Sequence, residues 1–188
     1  MKLICGLGNP GREHAGDRHN AGSLVVDTLA ERLGIALDSA KFEGRLGTGH
    51  LGAEKVLLLK PETYMNLSGQ SVAAAARFYK VEAEDMLVVH DELDLPFGRM
   101  QLKSGGGTAG HNGLRSILAS LGEEGFARLR IGVGKPEAKE RTVGHVLSGF
   151  SAEERRALPG LLEDAADAAV GWATLPLAEA MTRFNRRA

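Results

Sequence analysis

The chain has 188 residues, 43% of them hydrophobic and 25% charged, with a net charge of −1. These are the proportions of one globular domain, expected over residues 1–188, with enough length to bury a sizeable core. No apolar run approaches the ~20 residues of a membrane span, and the first six residues are too short and too early broken for a signal peptide, so a cytoplasmic protein with no membrane association is expected.

Residues 3–7 predict a buried strand, short, apolar and closed by Gly8-Asn9-Pro10-Gly11. The one cysteine, Cys5, lies inside it and reads as a small core residue; alone it allows no intrachain disulfide. Val25, Leu29 and Leu33 recur every fourth residue, so Ala21–Leu33 predicts a helix stopped by Gly34. Residues 45–51 and 55–59 predict strands, the second closed by Pro61. The Ala-rich stretch 70–79 predicts a helix, and 86–89 a further apolar strand. Residues 101–103 read as a short strand before a glycine loop, 104–110. A helix over Asn112–Leu121 ends at Gly122, and 127–133 reads as a strand. Ser151 and Glu154 stand in the relation of a capping box, so a helix should start there. Pro159 is expected to interrupt it, with helix resuming over 161–172. Leu177, Met181 and Phe184 mark a last helix ending in Arg186-Arg187. Strands alternating with helices, several strands being continuous apolar runs, predict an α/β sheet covered on both faces.

The charge is uneven. Residues 99–141 carry eight bases and four acids, a local +4, whereas residues 1–98 sum to −4. That distribution suits one face for a polyanion, or a solvated mixed surface. Gly6-Leu7-Gly8-Asn9-Pro10-Gly11 matches G-x-G-x-x-G, but polar residues follow it rather than an apolar helix, and Pro10 removes a donor. Residues 105–110 match as readily. Tight loops at strand ends are therefore expected in place of a dinucleotide site.

Three polar clusters lie beside these loops: Arg18-His19-Asn20, His90-Asp91-Glu92 and His111-Asn112-Gly113. An Asp at a strand end beside a loop His is the arrangement in which a carboxylate orients an imidazole, and such a His takes a proton from water. The bland alternative is hydrogen-bonded filler, and the sequence does not pair a given His with a given Asp. There is no G-x-S-x-G elbow, no H-E-x-x-H and no cysteine-rich ligand set. Neither a hydrolase serine nor a zinc site is expected.

Taken together these segments resemble the bacterial peptidyl-tRNA hydrolases. The resemblance rests on residues 6–11 with Arg18-His19-Asn20-Ala21-Gly22, on residues 60–69, on residues 90–96 with Gly105-Gly106-Gly107 and Gly110-His111-Asn112-Gly113-Leu114, and on residues 128–134. It implies a single-domain three-layer α/β/α sandwich with a mixed, mostly parallel sheet, monomeric, hydrolysing the ester of peptidyl-tRNA without metal or cofactor. It implies His19 as catalytic base and Asp91 as its orienting partner. Asn9, Tyr64, Asn66 and Asn112 would bind substrate, and Lys103 and Arg130 would meet tRNA phosphates. The chain departs from the resemblance at His14 and Asp17, where relatives often carry Tyr and Thr, and at Gln101, where they often carry Lys or Arg; Arg99 is expected to substitute there. Asp17 is expected to influence the neighbouring base. A non-catalytic RNA-binding relative would share the fold and the basic face, and the complete set of Asn9, His19, Asn66, Asp91 and Asn112 favours the enzyme.

Overall fold

The structure, a computed structural model, describes residues 1–185. Its strands are β1 (Lys2–Gly6), β2 (Ser39–Lys41), β3 (Gly44–Leu51), β4 (Glu54–Pro61), β5 (Met86–Glu92), β6 (Met100–Ser104) and β7 (Ala127–Gly132). They form one sheet in the order β2-β3-β4-β1-β5-β7-β6. The central four, β4, β1, β5 and β7, run parallel, while β2, β3 and β6 pair antiparallel at the two edges. The helices are α1 (Ala21–Leu33), α2 (Ser68–Tyr79), α3 (Asn112–Leu121), α4 (Thr142–Val146), α5 (Ala152–Thr174) and α6 (Leu177–Asn185).

Side chains alternate across a strand, so each central strand feeds two cores. Ile4, Leu58, Leu87 and Val89 point to one face, where they pack with Val25 and Leu29 of α1 and Ala165 and Ala169 of α5. Leu3, Cys5, Leu57 and Val88 point to the other, where they meet Val72 of α2 and Ile117 of α3. Burial on both faces explains why these strands read as unbroken apolar runs, and it makes the molecule the expected three-layer α/β/α sandwich. Burial also pushes the Cys5 thiol well above its ordinary pKa, as befits a core residue.

One contact fixes the place of the site. A Cβ on Gly22 would lie 2.0 Å from the Val89 carbonyl oxygen, and one on Gly6 would lie 2.3 Å from the Gly22 carbonyl oxygen. The first turn of α1 therefore lies directly on the carboxyl ends of β1 and β5. One backbone bond holds it there, Ser23 N–H to Leu7 O at 3.1 Å, and Leu7 N–H in turn donates to Val89 O at 3.0 Å. The residue three before Gly22 is His19, and the residue two after Val89 is Asp91.

Two expectations need correction. Pro159 does not interrupt its helix: α5 runs unbroken from Ala152 to Thr174. Pro159 is exposed, so the carbonyl it leaves unpaired faces water, and the buried alanines of the later turns hold the helix together. Strand β5 does not stop at Val89. It continues through His90, Asp91 and Glu92, which pair with Arg130, Ile131 and Gly132 of β7. The short elements β2 and α4 have no counterpart in the sequence reading. The expected helix end at Arg186-Arg187 lies outside the described residues.

Candidate active site

Strand β1 is flanked by β4 and β5; α1 follows β1 onto one face and α2 follows β4 onto the other. Such a point opens a crevice beyond the carboxyl ends of the strands. His19 enters it from a short 3-10 turn, Arg18–Asn20, just before α1. Its Nδ1–H donates to Asp91 Oδ2 at 2.8 Å. Asp91 is 3% exposed. Its other oxygen, Oδ1, accepts from His111 Nε2–H, also at 2.8 Å. Burial would raise the Asp91 carboxyl, but His111 and then His19, by their electrostatics and their hydrogen bonds, hold it well below the ordinary carboxylate range. Asp91 is thus a buried anion with both oxygens engaged.

His19, Asp91 and Asn112 line a cavity of about 650 Å³. Its far wall is residues 135–146, including Lys135, Lys139, Thr142 and Val143. That wall is tied to His19 through the residue before it: Arg18 donates to the His145 carbonyl at 3.2 Å, to Glu154 Oε1 at 2.9 Å and to Ser148 Oγ. Glu154 Oε1 also accepts the Ser151 N–H, completing the expected capping box of α5.

The other predicted residues, Asn9, Tyr64, Asn66, Lys103 and Arg130, do not line this cavity. Asn9 accepts the Met65 N–H on Oδ1 at 2.7 Å, which assigns its carbonyl end and keeps its NH2 for another partner. Asn20 holds it from behind, accepting the Asn9 N–H and donating to the Asn9 carbonyl, each at 2.9 Å. Met65 in turn abuts Gly113, where a Cβ would meet its Sδ at 2.7 Å. Asn66 is exposed in the next turn. Tyr64, 61% exposed, lines a separate groove with Pro10, Phe42 and Leu67. Asn9 and Asn66 do not line the His19 cavity; of the three asparagines, Asn112 does.

On β6 and β7, Gln101, Lys103, Arg128 and Arg130 share the face opposite Leu102 and Leu129, since antiparallel partners point the same way. Lys103 is exposed. Arg130 is held by Glu92 Oε1 at 2.9 Å and by Gln101 Oε1. Arg128 is buried beneath the glycine loop and donates to the Gly105 carbonyl. The departures at positions 14 and 17 answer each other: His14 Nδ1 is paired with Asp17 Oδ2 at 2.8 Å.

Sequence reasoning missed the role of His111, which it grouped with Asn112 but gave no partner. It also missed Asn20 and the Arg18–Glu154 tie. His19, Asp91 and His111 are the one His/Asp trio among the described residues whose ligand atoms lie within 4.8 Å of one another. Each imidazole is bonded to its own oxygen of the shared carboxylate, which closes the trio as a hydrogen-bond network.

His90, buried on the adjoining strand position, donates from Nδ1 to the Asp91 backbone carbonyl at 2.8 Å. Burial, with His111 beside it, pushes its pKa down from 6.5 to about 3. The unfolded chain therefore binds a proton at His90 before the native protein does. Stability from this group is complete above about 6.5 and is lost as pH falls toward 3, at about 1.4 kcal/mol per unit. Between pH 6.5 and 5 the loss should be about 2 kcal/mol smaller in His90→Asn, read from urea unfolding at both pH values.

The peptidyl-tRNA hydrolase family profile matches residues 3–188. A peptidyl-tRNA hydrolase of Geotalea daltonii is 47% identical over 187 residues, covering 100% of this chain and 97% of its own. One from Bacillus cereus is 44% identical over 185 residues, covering 98% and 100%. The crystal structure of the Acinetobacter baumannii peptidyl-tRNA hydrolase superposes with a TM-score of 0.93 at 44% identity, covering 98% of this chain and 94% of that one. A match of this extent, on a shared α/β fold, makes the protein an ester hydrolase. The chain belongs to the peptidyl-tRNA hydrolase family, and its reaction releases tRNA from peptidyl-tRNA.

Proposed function

We propose that His19 is the general base that activates water against the ester carbonyl of peptidyl-tRNA, with Asp91 as its orienting partner. One observation carries this reading: the 2.8 Å bond from His19 Nδ1–H to a buried anion, which leaves Nε2 as the proton acceptor beside an open cavity. A neutral imidazole near pH 7 takes a proton from the attacking water, and the carboxylate stabilises the imidazolium that forms. The amides of Asn9, Asn66 and Asn112 serve the peptide backbone and the developing oxyanion, for which a side-chain N–H donor is apt. An amide pairs with peptide N–H and C=O whatever the side chain, and it favours a peptide over a free, charged α-amine. Tyr64, in the adjoining groove, contacts substrate farther from the ester. The protein acts as one domain over residues 1–188, a monomer in the cytoplasm, and the step uses no metal ion or cofactor. The experiment that tests this is hydrolysis of an N-acetylated aminoacyl-tRNA by the protein and by its His19→Ala variant.

Lys103 and Arg130 are assigned to tRNA phosphates, contacts that position the substrate and carry no sequence information. Lys103 is exposed and free to reach a phosphate, whereas Arg130 must share itself with Glu92. Lys103→Ala should raise KM at constant kcat and lower the slope of log KM against log salt by about 1. Initial rates over a salt series check this; a fall in kcat alone would remove Lys103 from the phosphate role.

A further inference from the structure

Two imidazoles bond the Asp91 carboxylate, and a third, His90, bonds its backbone carbonyl. His111 lies between the other two, with ring centroids 5.1 Å from His19 and 5.1 Å from His90. Both of its nitrogens are committed. Nδ1 accepts the backbone N–H groups of Gly113 at 3.1 Å and Leu114 at 3.3 Å, so it carries no hydrogen and caps α3 where Ser, Asp or Asn ordinarily stands. Nε2 therefore carries the hydrogen and donates it to Asp91 Oδ1. Protonating Nδ1 would break both capping bonds and set a positive charge against the positive end of the α3 dipole. The capping bonds therefore assign His111 as the Nε2–H tautomer.

We propose that His111 is a positioning residue that sets the pH at which His19 becomes available as a base, by holding one oxygen of the carboxylate on which His19 depends. This rests on the assignment of His19 as the base. A carboxylate that already accepts from a second donor has less negative potential left to stabilise an imidazolium at His19.

The surrounding charges are otherwise engaged or stand at the cavity's rim. Glu92 is held by Arg130, and Asp94 by Lys135. Glu137 and Lys139 line the outer wall. On the His19 turn, Arg18 pairs with Glu154 and Asp17 with His14. His90 bonds the Asp91 backbone rather than its carboxylate.

Two substitutions separate the roles of the two nitrogens. His111→Asn puts an oxygen on Cγ where Nδ1 was, so it keeps the α3 cap and loses the donor to Asp91. His111→Gln brings an amide near the place of Nε2, so it keeps the donor and loses the cap. In His111→Asn the acid-side midpoint of the kcat/KM profile should rise by about one pH unit, and Tm should fall by a few °C because the buried carboxylate loses a charge-assisted donor. In His111→Gln the midpoint should stay and Tm should fall by about 2–4 °C. A midpoint unmoved in the Asn variant, or moved equally in both, would overturn the proposal. His19→Ala, assayed alongside, separates the two failures. If it retains normal turnover, the base assignment itself is wrong; if it is inactive while the midpoint stays fixed, only the role of His111 is.

Discussion

His19→Ala should lower kcat on an N-acetylated aminoacyl-tRNA by about 10²–10⁴-fold, the usual cost of removing a general base. That loss corresponds to about 3–5 kcal/mol of transition-state stabilisation. KM should change little, because the assigned phosphate contacts on β6 and β7 are separate from the His19 turn. The variant should also fold. Stranding a buried charge by deleting its partner commonly costs about 3–5 kcal/mol, but Asp91 keeps the His111 hydrogen bond after His19 is gone. His111 cannot take over as base, since one of its nitrogens caps α3 and the other donates to Asp91. The residual rate should therefore stay low as pH is raised. Single-turnover hydrolysis, with thermal unfolding as the control, measures all of this. Near-normal turnover in a folded variant would mean that water is activated elsewhere.

Much of this architecture was legible in the residues, for reasons that also mark where legibility stopped. Val25 and Leu29 revealed α1 because a helix that packs on a sheet must repeat its apolar face, and Gly34 adopts a left-handed conformation at its end, as a helix stop requires. The runs of β1 and β5 were visible because strands covered on both faces have no polar side. β2 was not visible: Ser39-Ala40-Lys41 carries no apolar signal and exists as a strand by pairing with β3. Pro159 misled because local propensity opposes helix there, while the buried alanines that outweigh it lie farther along the chain. At the site, the residue types at 19, 91 and 112 suggested their chemistry. The partner of His111 was hidden, since its bond to Asp91 spans twenty residues and its cap on α3 uses a residue type seldom read as a cap. Departures at positions 14 and 17 looked independent in sequence, and the 2.8 Å contact between them makes them one pair.

Asp91→Asn should cost about 10³–10⁴-fold in kcat, by a route that the fixed tautomer of His111 dictates. The carboxylate accepts one N–H from each imidazole, whereas an asparagine side chain offers one acceptor and one donor. His111 cannot switch to accepting on Nε2 without placing a hydrogen on Nδ1 and clashing with the N–H groups of Gly113 and Leu114. The carbonyl of the amide introduced at position 91 must therefore face His111, and its NH2 must face His19. His19 is then driven to the Nε2–H tautomer, with a hydrogen where the proton acceptor should be. Relieving that constraint should help: adding His111→Asn to Asp91→Asn lets the amide at position 91 turn over and accept from His19 Nδ1–H. The double variant should be more active than Asp91→Asn alone, a non-additivity seen only between residues that share one network. Rates for the two single variants and the double, on one N-acetylated aminoacyl-tRNA, decide the matter. A double variant no faster than Asp91→Asn would show that the lost charge, rather than the stranded tautomer, accounts for the defect.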